Sequence, residues 1–79
     1  MSPVITMHEP IRYRIEVQGH LDAGWSETLG VTVVIERDEP PVTSLTGELD
    51  QAALHGVLRR IYAIGLPLIS VQPVRPQGH

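Results

Sequence analysis

The spacing of apolar residues changes once along this chain, from two to about 3.6, and that change limits the fold to strands followed by a covering helix. From Ile11 to Val17 the alternation is unbroken. Ile11, Tyr13, Ile15 and Val17 share one face, and Arg12, Arg14, Glu16 and Gln18 the other, which is the pattern of a half-buried antiparallel strand. Gly30 to Glu36 repeats it with Val31, Val33 and Ile35 set against Thr32, Val34 and Glu36, before a turn at Arg37-Asp38-Glu39-Pro40-Pro41. A third, weaker strand spans Val42 to Glu48, with Thr43, Leu45 and Gly47 inward. Gly47 there marks either a bulge or a close backbone approach.

Asp50 stands directly before Gln51-Ala52-Ala53-Leu54, where its carboxylate can accept from the unpaired amides of a first helical turn. Steps of about 100° per residue gather Ala53, Leu54, Val57, Leu58, Ile61 and Ile64 into one stripe, and Gly65 with Pro67 supplies the stop. The helix is expected from Gln51 to Ile64. Leu66 to Val74 then reads as a last strand broken by Pro73. The expected class is therefore α+β, a two-layer sandwich of order β-β-β-α-β, with one helix packed on one face of a four-stranded mixed sheet. The preferred strand order is 3-2-1-4, with a right-handed crossover if the last strand joins in parallel. The polar face presents Arg12, Arg14, Glu16, Glu36 and Glu48, whose charges can pair across strands. Residues 11–74 form the single domain, 1–10 an N-terminal segment and 75–79 a loose tail.

A chain of 79 residues builds only a thin core, and without cysteine it has no disulfide to staple it, so self-association as a homodimer is expected. Six arginines, no lysine and nine acidic residues leave a net charge of -3, which disfavours a nucleic-acid backbone as partner. The start lacks a basic segment followed by a long apolar run, and no stretch approaches a membrane span, so a cytoplasmic protein is expected.

The segment Thr46-Gly47-Glu48-Leu49-Asp50-Gln51-Ala52-Ala53-Leu54-His55-Gly56-Val57-Leu58-Arg59-Arg60, followed by Gly65-Leu66-Pro67-Leu68-Ile69-Ser70-Val71, resembles a family of short uncharacterised bacterial proteins. Gly19-His20-Leu21-Asp22 with Trp25 is similar to that family's first loop, and Asp50-Gln51-Ala52-Ala53-Leu54-His55-Gly56 is the specific part. The resemblance implies a fold and a bacterial origin. It carries over no catalytic role.

Three features hold candidate functional residues. His55, Arg59 and Tyr62 lie on one side of the helix, being at i, i+4 and i+7. They form either an anion- or partner-binding strip, with Arg59 as the fixed charge, or an ordinary solvated face, which is the commoner case. Gly56 sits inside the helix at a cost of about 1 kcal/mol relative to alanine. With Ala52 and Ala63 it makes a small-residue strip, against which either a second copy's helix or the loop carrying Trp25 is expected to pack, unless the glycine is merely tolerated there. The long loop from Gly19 to Gly30 holds His20, Asp22, Trp25 and Glu27. His20 and Asp22 supply at most two metal ligands, with Glu27, His8 or His55 as a third. The plainer reading has Trp25 lidding the core and Asp22 making a turn.

No nucleophile elbow surrounds Ser26, Ser44 or Ser70, and no phosphate-binding glycine pattern is present, so no cofactor and no metal are expected. Two functions follow from these residues. The first is a non-enzymatic, self-associating binding or interaction module, with a further protein partner allowed; the second is a small enzyme or metal-dependent protein using His20, Asp22 and Glu27.

Overall fold

The structure, a computed structural model, describes residues 10–22 and 24–74. The segment 1–9 and the tail 75–79, including His8 as a candidate ligand, lie outside the described residues. The elements run in the order β1 (Ile11–Gln18), α1 (Gly24–Leu29), β2 (Thr32–Asp38), β3 (Pro41–Leu49), α2 (Gln51–Ile64) and β4 (Leu68–Pro73). The class is α+β, with a four-stranded antiparallel sheet and two helices.

Two expectations are corrected. The long first loop contains a six-residue helix, so the order is β-α-β-β-α-β and not β-β-β-α-β. The sheet order is β2-β3-β1-β4, in place of 3-2-1-4, and every neighbouring pair is antiparallel, so the sheet is not mixed. One cause links both corrections. A helix between β1 and β2 turns their connection from a hairpin into a crossover, which leaves a gap between two like-directed strands that β3 fills. The same happens between β3 and β4, with β1 in the gap. Two interleaved split β-α-β units result, the connectivity of ferredoxin-like domains.

The alternation read in β1 holds in its second half, where Ile15 and Val17 are fully buried and Gln18 faces out, whereas Ile11, expected on the buried face, is 46% exposed. Ile15 and Val17 join Leu45 and Leu49 of β3, Leu54, Val57 and Ile61 of α2, and the flanking Leu21 and Val31 in one core cluster. Each large side chain fully buried there contributes about 1.5–3 kcal/mol before chain entropy is counted. Trp25 and Leu29 of α1 pack against the same cluster. Gly47 resolves to a close approach, since a Cβ on it would stand 3.1 Å from the Gly30 carbonyl oxygen and from Val31 Cγ1. The register of β1 against β3 passes Gly47 without a shift, so it is not a bulge.

The ends of α2 match the expected signals. Asp50 Oδ1 accepts from the Ala53 amide at 2.8 Å, and Gly65 closes the helix in the left-handed region at φ 84°, its amide donating to the Tyr62 carbonyl. Among the described residues, no helix is long and apolar enough to cross a membrane.

Candidate functional site

Because α2 stops at Gly65 and the chain turns back through Leu66 and Pro67 into β4, a groove forms between the helix and the start of that strand. It encloses about 680 Å3. His55, Arg59 and Tyr62 form its helical wall, and Leu58, Leu66, Pro67 and Leu68 its apolar part. The structure thus brings together the three residues of the expected strip and sets them beside apolar side chains that helical spacing alone does not reveal. Tyr62 is 86% exposed, the most exposed of the large apolar side chains among the described residues. The Gln51 amide nitrogen lies 3.3 Å from His55 Nε2.

The small-residue strip behaves differently. Gly56 borders a shallow groove between the helices with Thr28, Leu29 and Ala53, while Ala63 lies further along that groove near Trp25. Ala52 and Ala63 are exposed. A Cβ added at Gly56 would meet nothing within 4 Å, which corrects the expectation that the Trp25 loop packs over it. Among the described residues, nothing stands over the glycine.

The loop candidates are occupied separately. Asp22 Oδ1 accepts from the Gly24 amide at 3.0 Å and its carbonyl from the Trp25 amide, so Asp22 starts α1. Trp25 is half-buried against the core. His20 points elsewhere, with Nε2 3.9 Å from Asp38 Oδ1, and Glu27 is exposed on α1. Among the described residues, no three His, Asp or Glu side chains form a group able to hold a metal ion.

On the open sheet face one polar network touches all four strands. Arg14 donates to Glu16 at 2.9 Å and lies 3.4 Å from Glu36; Ser44 donates to Glu36 at 2.7 Å and Ser70 to Glu16 at 3.2 Å. The hydrogen bond from Arg14, with that from Ser70, holds the Glu16 carboxyl below its ordinary range against the opposing effect of desolvation. The same bond raises Arg14. Ser44 and Ser70 therefore donate to carboxylates on neighbouring strands, an arrangement that ties the strands together.

Charge is distributed unevenly along the chain in a way that motif reading passed over. All nine Asp and Glu residues precede residue 51, so α2 contains Arg59 and Arg60 and no acid. Neither arginine has an ion pair among the described residues, whereas Arg12 pairs with Glu48 and Arg14 with Glu16 and Glu36. From Ile61 to Val74 there is no charged residue at all.

A family model covers residues 12–72, which takes in both helices, the groove and all four strands but for Ile11 and Pro73 at their ends. The chain belongs to the family described as a domain of unknown function (DUF8691). No curated protein and no solved structure matches it. The DUF8691 match spans the corner at which β1 ends, where the Gln18 amide donates to the Pro67 carbonyl and Thr43 Oγ1 to the Gly19 carbonyl at 2.6 Å. The Gln18–Pro67 bond holds the turn into β4, and with it the apolar end of the groove.

Proposed function

We propose that this DUF8691 chain is a non-enzymatic, self-associating interaction module, a bacterial cytoplasmic homodimer joined by pairing of two β4 edges. The observation that carries this reading is the state of that edge. β4 is an outer strand, it lies within the uncharged run from Ile61 to Val74, and Leu68 and Ile69 on it are 49% and 47% exposed. Unpaired strand edges are ordinarily protected by charge, among other devices, and β4, six residues long and ending at Pro73, carries no charge. A twofold partner presents the same edge, so two β4 strands meet antiparallel and extend the sheet. The thin core of a 79-residue chain adds a reason to bury surface elsewhere. Sedimentation velocity over a dilution series tests this. A dimer that dissociates on dilution, with a melting temperature that falls in step, supports the proposal; a monomer at high micromolar concentration with an unchanging melting temperature refutes it.

A further inference from the structure

We propose that the groove between α2 and β4 binds a small amphipathic carboxylate, an organic acid with an apolar, ring-sized body. The groove has the volume of a small-molecule site and the usual composition of one, apolar surface with a few polar groups at the rim. Its apolar residues Leu66, Pro67 and Leu68 lie beyond the C-terminal end of α2, and the polar groups His55 and Arg59, with Leu58 between them, lie nearer the middle of the helix.

Charge selects the sign of the ligand. Arg59 has no ion pair among the described residues and its helix contains no acid, so the guanidinium at the rim is available to an incoming carboxylate in forked geometry. The orientation follows from the helix itself. Its last carbonyls carry partial negative charge and repel an anion, so the head sits at Arg59 and His55 and the apolar body extends toward Leu66 and Leu68. Tyr62, 86% exposed, offers a ring face to that body and a hydroxyl to the head. The site shares Leu68 with β4, whereas the β4 pairing proposed above uses the strand's outer backbone.

Naphthylacetate is a suitable probe, with naphthylethanol as its neutral counterpart. Amide chemical shifts of the full chain, followed during titration in samples that sedimentation shows to be a single species, separate this test from that of self-association. Saturable shifts confined to residues 55–68 are expected, with naphthylethanol binding at least tenfold more weakly. Arg59→Gln should weaken naphthylacetate by about tenfold, and Arg60→Gln, which faces the other groove, should leave it unchanged. Equal affinity for the neutral compound, equal loss in both arginine variants, or no saturable shift would each overturn the proposal.

Discussion

The two edges of the sheet have the same architecture and opposite chemistry. Each edge strand carries one extra residue against its inner neighbour: Glu36 lies between the pairs Ile35↔Thr43 and Arg37↔Val42, and Ile69 between Glu16↔Ser70 and Val17↔Leu68. On β2 the extra residue is a carboxylate that accepts from Ser44 and approaches Arg14, and Arg37 and Asp38 follow it. On β4 it is an isoleucine, 47% exposed, with no charge from Ile61 to Val74. A bulge alone therefore does not say whether an edge is closed to partners. On the reading proposed above, the residue in the bulge decides it: β2 carries a carboxylate there and β4 an isoleucine.

The largest expected effect comes from giving β4 the chemistry of β2. Ile69→Lys should abolish self-association, with a loss of about 4 kcal/mol per dimer because a twofold contact counts the change twice. Ile35→Lys, on an equally exposed residue of β2, should leave the dimer intact. Sedimentation of both variants checks the pair, and equal effects would erase the distinction between the edges. Gly47→Ala should come next, destabilising the fold by about 1–3 kcal/mol in chemical denaturation, since the added methyl meets the Gly30–Val31 backbone that leads into β2.

Gly56→Ala should act in the opposite direction. With open space around it, alanine should stabilise by about 1 kcal/mol in a thermal melt. Absence of that gain would place a second copy on α2 and not on β4. The smallest effect concerns pH. Glu16 is held below its ordinary value of 4.5 in the folded chain, so its contribution is present above that value and is lost as pH falls through the lowered one. Glu16→Gln should therefore flatten the acid limb of stability slightly, because the pair is solvent-screened.

The strands and helix that obey one period were legible in the sequence. β1 alternates without error, and α2 is bracketed by Asp50 and Gly65, so their limits follow from side-chain chemistry alone. α1 was not, because Gly24-Trp25-Ser26-Glu27-Thr28-Leu29 is too short for a period and poor in strong helix formers. Its signal lay in Asp22 at one end and Gly30 at the other, whose amide donates to the Ser26 carbonyl. Missing α1 led directly to the wrong strand order. At the candidate site, i, i+4 and i+7 spacing located His55, Arg59 and Tyr62. Leu66, Pro67 and Leu68 come to them only through the tertiary turn that Gln18 and Pro67 hold.

The claim that β4 is open and β2 closed is tested most directly by amide hydrogen exchange at low and high protein concentration. The account expects the β4 amides that do not bond to β1 to become protected as concentration rises, while the β2 amides that do not bond to β3 exchange at a constant rate. Protection that grows on β2, or on neither edge, would contradict it.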